Sequence, residues 1–129
     1  MTSLKFILEE EGFRSKPYLD SLGIQTIGHG LTYITESESE HIVQNRIYEI
    51  IKQLEYDYNW FKGLSENRKT VIISMVYQLG LNGFSKFKKM IKAIENNDFS
   101  TAKKEGLDSL WAKQTPQRAN KQMDMLEIG

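Results

Sequence analysis

Apolar residues recur at every third or fourth position over most of the chain, and this spacing predicts a mainly helical protein. A first helix is predicted over residues 3–11, because Thr2 can cap its start and Gly12 is typical just past a helix end. A long helix is predicted over about residues 36–60, where the apolar side chains share one face. We expect that face to lie on the protein core.

Capping residues mark the boundaries of the other predicted helices. Thr35 and Glu38 have the spacing of a capping box at the start of the long helix. Ser65 is a candidate N-cap for the following helix, which is predicted to end at Gly80. Further helices are predicted over about residues 87–95, 99–108 and 116–126, the last with Thr115 as its cap and Pro116 in its first position.

Residues 13–34 have a different pattern, which favours short strands. Pro17 and three glycines discourage a helix there, and Ser21-Leu22-Gly23 has the composition of a tight turn. The sequence therefore predicts an α+β protein of one domain, residues 1–129. Its expected parts are a small antiparallel hairpin lobe (about 13–34), the linking helix (about 36–60) and a mainly helical lobe (about 65–129).

Composition excludes several classes of protein. Seventeen basic and seventeen acidic side chains give a formal net charge of zero, which argues against a nonspecific polyanion binder. The charge is uneven, however, since residues 1–65 carry six basic and ten acidic side chains and the remainder carries eleven and seven. There are no cysteines, so disulfides and thiolate metal sites are excluded. We expect no signal peptide and no stable membrane insertion.

Two carboxylates are the first candidates for chemistry. Glu11 is predicted at the C-terminal end of a helix, where the helix dipole disfavours an ionised carboxylate, as a general acid requires. Asp20 is predicted at the hairpin turn, where water keeps it ionised. A carboxylate pair of this kind divides acid and base roles in glycoside hydrolysis, but an arbitrary pair is usually a solvated surface pair. The two histidines, His29 and His41, have no zinc-site spacing, and we expect no metal or organic cofactor.

The residues around these acids resemble those of the T-even phage lysozymes (endolysins, or muramidases), glycoside hydrolase family 24. The first half carries Glu11-Gly12-Phe13-Arg14, Pro17-Tyr18-Leu19-Asp20 and Gly23 with Thr26-Ile27-Gly28. The second half carries Met75-Val76-Tyr77-Gln78-Leu79-Gly80, Gly83-Phe84, Leu110-Trp111 and Gln114-Thr115-Pro116-Gln117-Arg118-Ala119. The resemblance implies a lysozyme-like fold with the substrate held between its lobes.

The resemblance also implies roles for individual residues. Glu11 would donate a proton to the glycosidic oxygen, Asp20 would assist the attacking water, and Thr26 would hold that water. The family is thought to invert the anomeric centre, which requires carboxyl groups roughly 6.5–9.5 Å apart. The other implied roles are substrate binding by Leu31, Tyr77 and Gln78 and support of the catalytic glutamate by Arg118.

The chain departs from the family pattern at three places. Members commonly place a histidine directly after Gly-x-Gly, whereas here His29 stands between the glycines and Leu31 follows them. Phe87 and Glu105 occupy the positions of two polar cleft residues, so those contacts are not carried over. The segment before the central helix is also shorter, which predicts a reduced N-terminal lobe.

The function implied is that of a bacteriolytic enzyme acting on bacterial peptidoglycan. It would cut the β-1,4 bond between N-acetylmuramic acid and N-acetylglucosamine and cause host cell lysis. A monomer is expected, in the host cytoplasm, reaching the wall through a phage-encoded membrane lesion. One alternative is a non-catalytic glycan-binding protein or virion tail component with a lysozyme fold. Another is a nucleic-acid-binding regulator that uses the basic helix around residues 86–92, but this explains neither the hairpin nor the acids, and we expect no nucleic-acid partner.

Overall fold

The computed structural model describes residues 2–129, which form seven helices, one 3₁₀ turn and one antiparallel hairpin. The chain divides into two compact units, Met1–Val43 and Gln44–Gly129, with the boundary inside the second helix. The elements, in order, are α1 (Ser3–Glu11), β1 (Arg14–Leu19), β2 (Gln25–Gly28), α2 (Glu36–Asp57), the 3₁₀ turn (Phe61–Gly63), α3 (Glu66–Ser85), α4 (Lys88–Glu95), α5 (Phe99–Leu107), α6 (Leu110–Gln114) and α7 (Pro116–Ile128). The α+β class expected from the sequence is confirmed.

The hairpin forms where the sequence predicts it. Tyr18 pairs with Thr26 and Arg14 with Gly28, and the ladder is irregular between these two pairs. Pro17 lies in the irregular stretch, where its missing N–H costs no ladder hydrogen bond. Gly23 closes the turn at φ 77°, a left-handed conformation that glycine adopts without strain.

The predicted capping residues begin α1 and α2. The Lys5 N–H donates to the Thr2 hydroxyl oxygen at 3.1 Å at the start of α1. The Thr35 and Glu38 backbone N–H groups donate to each other's side chains at 2.9 and 3.2 Å, so the capping box is confirmed. Hydrogen bonding of the Glu38 carboxyl by the Thr35 backbone N–H, and by the Thr35 side chain, holds the pKa of that carboxyl below its ordinary value.

The hydrophobic core of the second unit is built from α3–α7, the end of α2 and the 3₁₀ turn. Leu54 is the fully buried member of the α2 stripe, and its neighbours Ile50, Ile51 and Tyr58 pack against the core. The other fully enclosed side chains include Phe61, Ile72, Met75, Phe84, Met90, Ile94, Met123 and Leu126. The periodicity of the sequence therefore identified the core-facing side of α2. No helix among residues 2–129 combines the length and the apolar character needed to cross a membrane.

The structure corrects four details of the predicted helices. α2 ends at Asp57 rather than near residue 60, and a short helix, α6, was not predicted. Gly80 leaves the helical conformation at φ 78° and ψ 164°, but the helix resumes and α3 continues to Ser85, where the preceding Phe84 is fully buried. Thr115 and Pro116 stand at the N-cap and the first position of α7 as predicted, but the Thr115 hydroxyl makes no capping hydrogen bond, because it donates at 2.9 Å to the Trp111 carbonyl of α6.

Arg68 holds the last helix in place. Its Nε donates to the Leu126 carbonyl at 2.7 Å and its Nη2 to the Glu127 carbonyl at 2.9 Å. Its guanidinium lies 3.5 Å from the centre of the Phe99 ring. The final carbonyls of a helix have no partner within the helix, so this one side chain satisfies two groups of α7 while contacting α5.

Replacing Arg68 with alanine is expected to lower the free energy of unfolding by about 2 kcal/mol, because two hydrogen bonds to a charged donor are lost. Urea unfolding followed by circular dichroism measures the change. Arg46→Ala is the matched control, since Arg46 is exposed on α2 and forms no side-chain hydrogen bond or ion pair with the described residues. Equal midpoints for the two variants would contradict the role assigned to Arg68.

Candidate functional site

Glu11 is the last residue of α1, and its side chain is exposed. The helix ends there because Gly12 takes φ 64°, and the Gly12 N–H closes the final turn on the Leu8 carbonyl at 3.0 Å. Phe13, the next residue, packs its ring against the His29 ring with centroids 5.2 Å apart. The residues that follow Glu11 therefore fix the end of α1 against the loop after β2.

Gly30 lies directly against the Glu11 carboxyl group. A β-carbon at residue 30 would overlap both Oε2 and Cδ of Glu11, the latter at 2.7 Å. Gly30 also has φ 74°, which L-residues with a side chain rarely adopt. The backbone conformation therefore favours glycine at this position, and a side chain there would displace the Glu11 carboxyl group.

The loop that carries Gly30 is closed by its own hydrogen bonds. Ile27 and Leu31 exchange two backbone hydrogen bonds of 2.8 and 2.9 Å around Gly28, His29 and Gly30. The Leu31 side chain packs beside Gly28 and stays 44% exposed. Leu31, predicted to bind substrate, is therefore an accessible apolar side chain next to the loop that contacts Glu11.

Asp20 caps the hairpin turn with one carboxylate oxygen. Its Oδ1 accepts the Leu22 N–H at 2.8 Å and the Ile24 N–H at 2.9 Å. The Asp20 backbone N–H in turn donates to the Ile24 carbonyl at 3.0 Å. These bonds fix the orientation of the carboxylate, and its Oδ2 makes no hydrogen bond with a side chain or backbone group among residues 2–43.

Thr26 is the one buried side chain among residues 2–43, with 4% of its surface exposed. Its hydroxyl donates to the Ile24 carbonyl at 2.9 Å, which is the same oxygen that accepts the Asp20 N–H. Ile24 therefore connects Asp20 and Thr26 through hydrogen bonds on both its N–H and its carbonyl. Because the Thr26 proton is already donated, its oxygen is left as an acceptor for a water molecule.

Tyr77 and Gln78, the predicted cleft residues of the second unit, have different surroundings. Tyr77 is 47% exposed on α3 and is not a core aromatic. The side-chain oxygen of Gln78 accepts the Trp111 Nε1–H at 2.9 Å, which fixes the orientation of the amide. Arg118 is exposed in the first turns of α7.

A cavity of about 570 Å³ opens in the second unit beside Trp111. Its apolar wall includes Leu79, Phe87 and Leu110, and the Phe87 ring meets the Trp111 ring edge-on at 6.1 Å. Its polar lining residues are Lys86, Lys88, Lys89, Glu105, Ser109 and Gln114. Phe87 and Glu105, the two departures from the family pattern, therefore lie in one cavity with three lysines of the basic helix region.

Comparison with known proteins identifies the family. A profile of the family described as Phage lysozyme matches residues 8–127. The chain belongs to the phage lysozyme family. The resemblance of the motifs is thereby confirmed, and the hairpin and helices of the structure form the α+β, lysozyme-like fold expected from it.

Individual relatives agree with this membership of the phage lysozyme family. The chain is 36% identical over 99 residues to "Probable T4-type lysozyme 1" and 34% identical to "Probable T4-type lysozyme 2", both of Dictyostelium discoideum. These matches cover 74% of the chain but 58% of each relative's length. It is also 24% identical to "Pre-baseplate central spike protein Gp5" of Enterobacteria phage T4, over 94% of the chain and 27% of that protein.

Two residues of the candidate site were not identified from the sequence. Gly30 was assigned only as a helix breaker, and its contact with Glu11 depends on residues far apart along the chain. Ile24 is not singled out by the sequence, because its contribution comes from the backbone and not from its side chain. For Gly30, the spacing of Gly28-His29-Gly30 was the signal that the sequence offered.

Proposed function

We propose that this protein is a bacteriolytic lysozyme that hydrolyses the β-1,4 bond between N-acetylmuramic acid and N-acetylglucosamine in peptidoglycan. The observation that carries the proposal is the set of hydrogen bonds made by the backbone of Ile24. Its N–H donates to the Asp20 carboxylate, and its carbonyl accepts from the Thr26 hydroxyl and the Asp20 N–H. Membership of the phage lysozyme family supports the same reaction.

In the proposed reaction Glu11 donates its proton to the glycosidic oxygen while the bond to the anomeric carbon breaks. The positive charge that develops on that carbon is stabilised by the Asp20 carboxylate. A water hydrogen-bonded to Asp20 and Thr26 then attacks from the opposite face and gives its proton to Asp20. Inversion of the anomeric centre is expected, with the two carboxyl groups roughly 6.5–9.5 Å apart.

Each group has the hydrogen-bonding capacity that this reaction needs. Asp20 Oδ1 is held by two backbone N–H groups, which leaves Oδ2 for the water. Thr26 can only accept from the water, so it orients one of the water's protons and leaves a lone pair for attack. Tyr77 is exposed enough to stack on a sugar ring, and Leu31 offers an apolar contact.

The direct test is to incubate the protein with purified peptidoglycan and measure newly formed reducing ends. A lysozyme releases them in proportion to time and enzyme, whereas a protein that only binds glycan releases none. Reduction with borohydride and mass spectrometry of the products then shows whether N-acetylmuramic acid or N-acetylglucosamine carries the new end. The muramic acid residue is the expected one.

Replacing Thr26 with valine is expected to lower kcat about 100-fold, because the attacking water loses the acceptor that orients it. The Ile24 carbonyl still accepts the Asp20 N–H in this variant, so the turn keeps its structure. Thr26→Ser is the matched control and should retain most of the activity, since it keeps the hydroxyl. Equal kcat values for the valine and serine variants would contradict the role of the hydroxyl.

A virion tail component is the second candidate function, because the chain aligns over most of its length with a protein named as a central spike of phage T4. Immunodetection of the chain in purified phage particles and in the lysate separates the two cases. A free endolysin, acting as a monomer from the host cytoplasm through a phage-encoded membrane lesion, is found in the lysate and not in washed particles. A tail component stays with the particles.

A further inference from the structure

A second cavity lies in the second unit, and none of its lining residues is assigned to the reaction. It has a volume of about 480 Å³, within the range of small-molecule pockets. Its lining consists of Asp57, Tyr58, Asn59, Trp60, Ile91 and Glu95, from the end of α2, the segment after it, and α4. None of these lining residues belongs to the sequence motifs that resemble the phage lysozymes.

Two aromatic rings form a fixed wall of this cavity. The Tyr58 and Trp60 ring centroids are 4.9 Å apart at an interplanar angle of 33°. Tyr58 meets the buried Phe84 edge-on at 5.9 Å, and Trp60 lies 6.5 Å from the buried Phe61. The rings are therefore anchored on the core, yet both remain half-buried and accessible to a ligand.

The polar groups of the cavity are mostly hydrogen-bond acceptors. Asp57 and Glu95 are exposed, and neither forms an ion pair within the part of the chain that the structure describes. Asp57 accepts one hydrogen bond, from Gln53 Nε2 at 3.0 Å. Burial and the Asp57 charge raise the pKa of the Tyr58 hydroxyl, which therefore stays a proton donor at neutral pH.

We propose that this cavity is an accessory carbohydrate site that binds a hexosamine ring carrying a free ammonium group. The aromatic wall suits the apolar face of a pyranose ring, and a cation near an indole or phenol face gains cation–π attraction. Asp57 and Glu95 supply charge-assisted partners for the ammonium, and Asn59 can bond a ring hydroxyl. An anionic sugar is disfavoured by the two carboxylates.

This binding goes beyond the proposed hydrolysis and does not require it. The test uses the full chain with the Glu11→Gln substitution, so that an oligosaccharide is not cleaved. The probe is the fully deacetylated tetramer of β-1,4-linked glucosamine, and its N-acetylated counterpart is the comparison ligand. Failure of this test leaves the release of reducing ends by the unsubstituted protein unaffected.

The chain contains two tryptophans, which makes the readout specific. Trp60 lines the proposed site, whereas the indole of Trp111 is buried and donates to Gln78. In ¹H–¹⁵N spectra we expect the Trp60 indole signal, assigned by its loss in Trp60→Phe, to shift with the glucosamine tetramer while the Trp111 signal stays in place. The N-acetylated tetramer should bind at least about fivefold more weakly.

Trp60→Ala should weaken glucosamine binding at least about tenfold. Asp57→Asn with Glu95→Gln should weaken it about fivefold without affecting folding, since both side chains are exposed. Any one of four results would overturn the proposal. These are no shift at Trp60, a shift confined to Trp111, equal binding of the two tetramers, or unchanged binding by the double variant.

Discussion

Replacing Glu11 with glutamine is expected to reduce the release of reducing ends from peptidoglycan by about 10³-fold, because the leaving oxygen loses its proton donor. Glutamine has almost the same size and keeps two polar atoms, but it has no proton to give at neutral pH. The Glu11 side chain is exposed and makes no hydrogen bond or ion pair among residues 2–43. The substitution should therefore leave the thermal midpoint within a few degrees of that of the unsubstituted protein.

Glu10→Gln is the matched control for this experiment. Glu10 precedes Glu11 on α1, is also exposed, and its replacement changes the net charge by the same amount. We expect its activity to stay within about twofold, since Glu10 has no assigned part in proton transfer. Comparable activity for the two glutamine variants would remove Glu11 from the mechanism.

Replacing Gly30 with alanine is expected to lower kcat/KM by about 100-fold, because the added β-carbon overlaps the Glu11 carboxyl group and displaces it. The alanine must also adopt φ near 74°, which costs about 1 kcal/mol of folding stability. The loss of activity therefore has two conceivable origins, a moved carboxyl group and a weakened fold. A control variant is needed that weakens the fold without moving the Glu11 carboxyl group.

Gly23→Ala provides that control. Gly23 has φ 77°, almost the same as Gly30, but a β-carbon there meets no atom within 4 Å. Both variants should lose about 1 kcal/mol in urea unfolding, and only Gly30→Ala should lose activity. If the two variants keep the same kcat/KM, the contact between Gly30 and Glu11 has no role in the reaction.

The elements of this fold follow closely from local sequence signals. The capping box at Thr35 and Glu38 and the turn at Gly23 were predicted from residue type and spacing alone, because each depends on hydrogen bonds or torsion angles within a few residues. The missed helix α6 is only five residues long, too short for a periodic pattern. The predicted cap position of Thr115 is confirmed, but its hydroxyl donates to the Trp111 carbonyl of the unpredicted α6 and not to α7.

The candidate site, like the fold, could be predicted only in part from the sequence. The sequence motifs singled out Glu11, Asp20 and Thr26, which stay predictions, and the match to the family profile covers the segment that contains them. The motifs could not show that Thr26 donates its own proton to Ile24, which restricts it to accepting from water. Nor could they show that the Gln78 oxygen is already engaged by Trp111, since those residues are far apart along the chain.

By itself, the sequence determined six of the seven described helices, the hairpin, the uneven charge and the family motifs of this protein, because these properties depend on residue type and local spacing. The tertiary structure decided which atoms are free for chemistry. It brought Gly30 against Glu11 and joined Asp20 to Thr26 through the backbone of Ile24. It also placed Tyr58 and Trp60 in one cavity with Asp57 and Glu95. The contact between Gly30 and Glu11 and the cavity between α2 and α4 depend on how distant segments pack, which no local pattern of residues specifies. The hydrogen bonds of Ile24 are local, but they depend on the backbone conformation of the turn and not on the type of its side chain.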